Sequence, residues 1–253
     1  MTLFNLMGLV STVALAVPVI LLITTKLSWY RSFPALFFYY LFVLSYNLIL
    51  LGYFKTAPGF KYYYGIANNL LDTPLMLTFL LYFSKTLAFR KKLMVAIAGF
   101  IAFEIIILAI YGLNVKSMTI ILAPGLLMTL LISLLFFIHQ VKIAVVYHKA
   151  AGKAMMTASL LFAYVGYCFV YSVFYVIKPA FKDDAHLVLF LITIFSSLLM
   201  AAGIFLERKR VLQLLELQTT RNELKVIYGE QEAKKIAAPF EPAMLNFDKE
   251  QWN

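Results

Sequence analysis

Residues 117–139 read SMTIILAPGLLMTLLISLLFFIH and contain no Asp, Glu, Lys or Arg. A helix needs roughly 20 mainly apolar residues to cross the hydrocarbon core of a bilayer, so this stretch is typical of a transmembrane helix. Seven such stretches are present, joined by short connections that hold most of the basic residues: 3–25, 34–54, 62–83, 93–113, 117–139, 154–177 and 186–206. The sequence therefore predicts an all-α membrane protein, a bundle of seven transmembrane helices.

The composition excludes most other classes of protein. Of the 253 residues, 63% are hydrophobic and 13% are charged, and the mean hydropathy is +0.87. An average soluble domain is about half apolar and about a quarter charged. Cys168 is the only cysteine, which excludes a secreted disulfide scaffold.

Two parts of the chain are expected. Residues 1–206 are predicted to form the seven-helix transmembrane domain, and residues 207–253 a short cytoplasmic amphipathic helix and tail. Two interpretations of that helix remain open. It is either an extension of the last transmembrane helix that lies on the membrane surface, or a contact helix that binds a cytoplasmic protein through residues after Arg210.

The Lys and Arg counts predict the orientation, because cytoplasmic loops carry an excess of these residues. With the N-terminus outside, the inner connections and the start of the tail hold twelve Lys and Arg, against five in the outer connections. We therefore expect an N-out/C-in topology. The net charge of +10 indicates contact with an anionic lipid bilayer rather than a nucleic acid. The first stretch lacks the positively charged start of a signal peptide, so a bacterial cytoplasmic membrane is the expected location.

A compact polar cluster interrupts the third stretch, where Asn68, Asn69 and Asp72 are followed by Pro74. Asn68 and Asp72 are four residues apart and share a helix face, which Asn69 flanks. Pro74 has no N–H, so the carbonyl of Leu70 loses its helical partner. Ionisable residues at this depth usually mark a functional site, and we predict ligand binding here. The alternative is that these side chains only hold neighbouring helices together by hydrogen bonds.

Tyrosines form a second pattern, in the sixth stretch. Tyr164, Tyr167, Tyr171 and Tyr175 recur at spacings of three, four and four, which places them on one helix face. A buried phenol needs a hydrogen-bond partner. The face is therefore interpreted either as the aromatic wall of a binding pocket or as an aromatic packing seam.

Two further residues are assigned to the same site. Asn47 lies in the outer half of the second stretch, and Glu104 is the only acid besides Asp72 inside a predicted span. With N-out topology, all these positions lie at middle to outer depth, so we expect one cavity that opens outward or is closed by the outer loops. The predicted ligand-binding residues are Asn47, Asn68, Asn69, Asp72, Glu104, Tyr164, Tyr167 and Tyr171.

Patterns typical of catalysis or of metal binding are weak. His139, His148 and His186 are the only histidines, and the predicted topology places them at opposite membrane surfaces. No HExxH or CxxC pattern accompanies them, and no nucleophile accompanies the two membrane acids. The sequence therefore predicts no metal, no catalytic residue and no cofactor, and an enzyme is the less favoured class.

The run DTPLML at 72–77, together with the helix count and length, resembles the microbial rhodopsins. The resemblance places Asn68 where that family usually has its counterion carboxylate. On the last helix, GIFL at 203–206 with Arg208 is similar to the family's inner end.

The same resemblance has a consequence for the chromophore. It implies that Leu199 stands where the retinal-binding lysine should be, and Phe195 where a second counterion acid should be. No lysine occurs in 186–206, so covalent retinal is not expected. The resemblance then implies a rhodopsin-like bundle with non-covalent ligand binding or a sensory role.

These observations favour a receptor or sensor that binds a small ligand within the membrane and signals to a cytoplasmic partner. A proton-coupled transporter of small solutes is the main alternative, since proline-interrupted helices and a mid-membrane acid are typical of that class. A third alternative is an intramembrane enzyme that modifies lipid. The oligomeric state stays open.

Overall fold

The computed structural model describes residues 3–57, 59–84, 86–147, 150–174 and 182–237, with side chains outside 3–4, 147, 182–185 and 225–237. The described chain is all-helical. Its helices are α1 (Leu3–Thr24), α2 (Phe33–Leu50), α3 (Phe60–Leu80), α4 (Leu87–Tyr111), α5 (Val115–Tyr147), α6 (Ala151–Ser172) and α7 (Lys182–Ala237). A 3-10 turn, Leu81–Phe83, continues α3.

All seven α-helices are long and apolar enough to cross a membrane, which fits the predicted helical membrane bundle. Their ends differ from the predicted ones where polar residues continue a helix beyond the apolar stretch. Thus α4 begins at Leu87 and α5 extends to Tyr147. Tyr175 lies outside the described residues.

Local chemistry sets the ends of α4. The Thr86 hydroxyl oxygen accepts a hydrogen bond from the backbone N–H of Phe89 at 3.3 Å, an N-cap that satisfies a free donor of the first turn. At the other end, Gly112 has φ 71°, and its N–H donates to the carbonyl of Leu108. Only glycine adopts this backbone conformation readily, so Gly112 ends the helix.

Six helices form a ring in the order α1, α2, α3, α5, α6 and α7, and α7 packs back onto α1. The remaining helix, α4, packs on the outside against α3 and α5 and is the least buried span. Short connections make successive helices antiparallel. We call the side where α1, α3, α5 and α7 begin the N-terminal face, and the opposite side the C-terminal face.

The closest helix pair is α6 and α7, and small residues allow it. A Cβ on Gly203 would lie 2.6 Å from Met156 Cγ and 2.9 Å from the Met156 backbone nitrogen. A Cβ on Gly152 would lie 2.6 Å from the backbone nitrogen of Glu207. Deeper in the pair, the Ser159 hydroxyl donates to the Ser196 carbonyl at 2.7 Å. The two backbones therefore touch, as small residues at membrane helix interfaces permit.

The last helix extends far beyond the bundle. Its 56 residues correspond to about 84 Å at 1.5 Å per residue, whereas the hydrocarbon core is about 30 Å thick. Val211 is still buried, but the side chains from 212 to 220 are all exposed. The predicted domain boundary at 206/207 lies inside this continuous helix.

The α6–α7 contact predicts the effect of one added methyl group. Gly203→Ala should lower the free energy of unfolding by about 1–3 kcal/mol, because the new Cβ meets backbone atoms that cannot move aside. Thermal unfolding in detergent measures this. The control is Gly99→Ala in α4, where a Cβ has no heavy atom within 4 Å. A loss of stability in both variants, or in neither, would contradict the close α6–α7 packing.

Candidate functional site

The carboxyl group of Asp72 lies at the centre of the ring, facing α6. The Tyr164 hydroxyl is 3.2 Å from each carboxyl oxygen of Asp72 and donates to them. Tyr164 is completely buried, and Asp72 is half-buried. Tyr39 of α2 lies beside the same carboxyl group. Three helices that are distant in sequence thus meet at one acid.

Hydroxyl groups continue this arrangement toward α7. The Tyr167 ring packs edge-on against Tyr164 with centroids 5.7 Å apart, and its hydroxyl lies near Tyr39 and Thr193. We call Tyr39, Asp72, Tyr164 and Tyr167 the aspartate cluster. The cluster satisfies the acid with phenols, the donors that α2 and α6 supply, rather than with a cation.

A very small cavity adjoins the aspartate cluster, between α1, α2, α3, α6 and α7. Its volume of about 10 Å³ leaves room for about one water molecule. Hydroxyl-bearing side chains line much of it: Tyr39, Tyr40, Ser159, Thr193, Ser196 and Ser197. In this closed arrangement, a larger molecule would have to separate the helices.

Glu104 approaches the cluster from α4. It is buried, although α4 is otherwise the most exposed helix, and it lies near Asp72. Its Oε1 atom makes no hydrogen bond to any described residue. A buried carboxyl oxygen without a partner is costly, which makes Glu104 a candidate for binding a proton, a water molecule or a ligand group.

The other predicted residues are spread along the bundle. Asn47 is buried and donates to the Ser11 hydroxyl of α1 at 3.4 Å, so it links two helices. The Tyr171 hydroxyl donates to the Thr119 carbonyl of α5 at 3.0 Å. Asn68 is half-buried, and Asn69 is exposed to a separate cleft. The structure therefore brings Asp72 together with Tyr164 and Tyr167, and leaves Asn47 and Tyr171 as links between neighbouring helices.

The cleft at Asn69 opens at the N-terminal face, between α2, α3 and the first turn of α5. We call it the N-terminal cleft. Its volume is about 470 Å³, within the usual range of small-molecule sites. Polar side chains on its wall are those of Tyr46, Lys61, Tyr62 and Asn69, and its apolar floor includes Ile66 and Met118.

A third polar cluster, at the C-terminal face, was not predicted. Glu207 is completely buried, and its Oε1 accepts from the Tyr82 hydroxyl at 2.5 Å and from Arg210 Nη2 at 2.8 Å. The ammonium group of Lys153 lies 4.7 Å from the centroid of the Tyr82 ring. We call Tyr82, Lys153, Glu207 and Arg210 the glutamate cluster. It ties the end of α3 and the start of α6 to α7.

Sequence reasoning missed these residues for identifiable reasons. Glu207 follows the last predicted span and was assigned to the tail, although Arg210 three residues later offers a partner on the same helix face. Tyr39 and Tyr40 lie in the middle of α2, too deep for interfacial tyrosines. Their depth in the membrane was the signal that could have identified them as candidate site residues. Among the residues with described side chains, no group of three or more His, Cys, Asp and Glu is close enough to hold a metal ion.

The geometry of the aspartate cluster predicts that removing the Tyr164 hydroxyl destabilises the folded protein. Tyr164→Phe should lower the free energy of unfolding by about 1–3 kcal/mol, because the Asp72 carboxyl loses its best-placed donor at a buried site. Thermal unfolding in detergent measures this, with Tyr53→Phe at an exposed position as the matched control. Equal stability of the two variants would show that the Tyr164–Asp72 bond contributes nothing.

Comparisons with protein-family models, with curated proteins and with solved structures give no match for this chain. The resemblance to microbial rhodopsins therefore stays a prediction from the sequence. What the site can do follows from its geometry: a half-buried acid held by phenols, a second buried acid beside it, and a cleft on the same face of α3.

Proposed function

We propose that this protein is a receptor-like membrane sensor. In this proposal, a small ligand is held non-covalently by the side chains around Asp72 and changes how α6 packs on α7. The observation that carries the proposal is the continuity of α7. One uninterrupted helix both supplies Thr193, Ser196 and Ser197 to the cavity beside the aspartate cluster and extends to Ala237 outside the bundle.

The closed cavity supports a switch rather than a permanent pocket. About 10 Å³ holds no more than a water molecule, so a ligand that reaches the cluster must displace α6 or α7. Packed helix interfaces change between discrete arrangements rather than deforming smoothly. Because the α6–α7 backbones touch at Gly152 and Gly203, a displacement of α6 moves α7 as well.

The glutamate cluster lies on the path from the aspartate cluster to the exposed part of α7. It holds α7 against α3 and α6 through Glu207, only four residues before the buried Val211. Beyond it, Leu212, Leu215 and Leu217 are about half exposed. With the expected N-out/C-in topology this exposed segment lies in the cytoplasm, where its leucines offer an apolar face to a signalling partner.

The ligand is proposed to bind without a covalent bond. No lysine occurs between His186 and Glu207 on α7, and Leu199 stands where the rhodopsin resemblance would require one. A Schiff base to retinal therefore has no amine to form on at that position. Phenol and hydroxyl groups around Asp72 instead suit a neutral or cationic group that hydrogen-bonds a carboxylate.

The proposal predicts that changes at the aspartate cluster reach the exposed end of α7. Spin labels at Leu217→Cys and Lys91→Cys, in a Cys168→Ser background, report the distance between α7 and the start of α4. Asp72→Asn and Tyr164→Phe should shift or broaden that distance by about 2 Å or more, as helix shifts at such interfaces do. Double electron–electron resonance in lipid nanodiscs measures it.

Tyr53→Phe serves as the control, since its side chain is exposed in the connection between α2 and α3. If Asp72→Asn and Tyr164→Phe give the same distance distribution as the background protein, the sensor proposal is wrong. A shift that also appears with Tyr53→Phe would point to general loosening of the bundle instead.

A proton-coupled transporter of small solutes is a second candidate, favoured by Glu104. Its Oε1, to which no described residue donates a hydrogen bond, is buried near Asp72, so two acids of the membrane interior lie close together on α3 and α4. Acid chains of this kind are typical of proton relays. The sensor proposal does not require this second acid, whereas a relay does.

Proton flux separates the two candidates. In liposomes loaded with a pH-sensitive dye, a transporter should carry protons down an imposed gradient, and Asp72→Asn and Glu104→Gln should both reduce the flux to the level of empty liposomes. Tyr53→Phe should leave it intact. No flux above empty liposomes with the wild-type chain would contradict a proton relay that conducts without a solute, and would favour the sensor.

A further inference from the structure

The N-terminal cleft has the volume of a small-molecule site, and its lining is partly polar and partly apolar. Its rim carries the phenols of Tyr46 and Tyr62 and the ammonium group of Lys61, and its floor is the apolar pair Ile66 and Met118. Both floor residues are buried in a small core with Phe100 and Ile121. A ligand that fits must therefore be amphipathic.

The charge on the wall of the cleft is positive. Among the described residues, Lys61 is the only charged one on its wall, and no Asp or Glu occurs in 33–71 or in 105–147. Across the part of the chain that the structure describes, no salt bridge involves Lys61. A cleft lined by one sign of charge concentrates ions of the opposite sign. The lysine at the rim therefore selects an anion.

A glycine keeps the cleft open. A Cβ on Gly65 would lie 3.2 Å from the Tyr46 hydroxyl, which is closer than ordinary contact. The Tyr46 ring also stacks on Tyr64 at a centroid distance of 6.3 Å. A larger side chain at 65 would therefore have to occupy the cleft itself.

The cleft leads toward the aspartate cluster. Tyr62, Gly65, Asn69 and Asp72 recur along α3 at spacings of three, four and three, so they share one face. Asn69 is about 4.5 Å along the helix axis from Asp72, and Lys61 is about 16 Å from it. An anion at the Lys61 rim is thus kept well away from the acid.

We propose that the N-terminal cleft binds a small amphipathic carboxylate. The carboxylate pairs with Lys61 at the rim and accepts hydrogen bonds from neighbouring phenols, while the apolar body lies on Ile66 and Met118 beside Asn69. This site is separate from the ligand site proposed at Asp72, and it does not rest on the sensor proposal. Binding itself depends on the cleft alone.

Octanoate tests the assignment as a simple carboxylate with an apolar chain. Isothermal titration of the full chain in phosphatidylcholine nanodiscs should show one bound octanoate per chain. Lys61→Gln should weaken binding by about tenfold, the effect of losing one charge-assisted hydrogen bond. Gly65→Leu should abolish it by filling the cleft. Lys55→Gln, which removes a nearby lysine outside the cleft lining, should leave it unchanged.

Two results would overturn the proposal. Octanoate uptake that is equal in wild type, Lys61→Gln and Gly65→Leu would show partition into lipid. Loss of octanoate binding in nanodiscs with phosphatidylglycerol, together with that lipid bound in native mass spectra, would assign the cleft to a lipid phosphate instead of a free carboxylate. The spin-label distances of the aspartate-cluster variants are measured without octanoate. The sensor proposal can therefore stand if the titration fails, and the carboxylate site can stand if the spin-label experiment fails.

Discussion

The Asp72 carboxyl group lies where the membrane offers no water to solvate a charge, so its partners must come from the protein. Among the described residues, the partner is a phenol rather than a cation: Tyr164 donates at 3.2 Å, and Tyr39 lies beside the acid. This choice has a structural consequence. Partners on α2 and α6 can reach an acid on α3 only if the helices close into a ring around it. The hydrogen bonds at one side chain therefore help to fix the order of helices in the bundle.

The second constraint is the close contact of α6 with α7. Each of Gly152 and Gly203 lies against backbone atoms of the other helix, so the two helices cannot slide independently. The same contact buries Glu207 of α7 against the start of α6. There the Tyr82 hydroxyl and Arg210 both bond to one of its carboxyl oxygens. Only Glu207 of this ion pair is fully buried, so the pair contributes little net stability, but removing Arg210 would leave a buried carboxylate with one partner fewer. It therefore sets where α7 leaves the bundle rather than how tightly the bundle folds.

The sequence predicted the helical membrane fold well because bilayer thickness dictates the length of an apolar span. It also indicated Asp72 and the tyrosine face of α6, since a carboxyl group and a row of phenols stand out at membrane depth. It could not indicate that Tyr39 would turn toward the acid, because both faces of α2 are apolar or aromatic. Nor did it distinguish Asn47, which bonds Ser11, from Asn69, which faces a cleft. Such assignments depend on how each helix is rotated about its own axis. The spacing of residues in the sequence does not determine that rotation when a helix is hydrophobic on all sides.

The N-terminal cleft, the aspartate cluster and the glutamate cluster follow one another from the N-terminal to the C-terminal face. The N-terminal cleft ends at Asn69, one helical turn from Asp72; the aspartate cluster adjoins hydroxyl groups of α7; and the same helix carries Glu207 before it leaves the bundle. Each step uses a different chemistry: a cation at the rim, phenols around an acid at the centre, and an ion pair at the C-terminal face. A path whose middle has room for one water molecule transmits displacement more readily than solute. That difference in volume, about 470 Å³ against about 10 Å³, favours a sensor over a transporter for this closed arrangement.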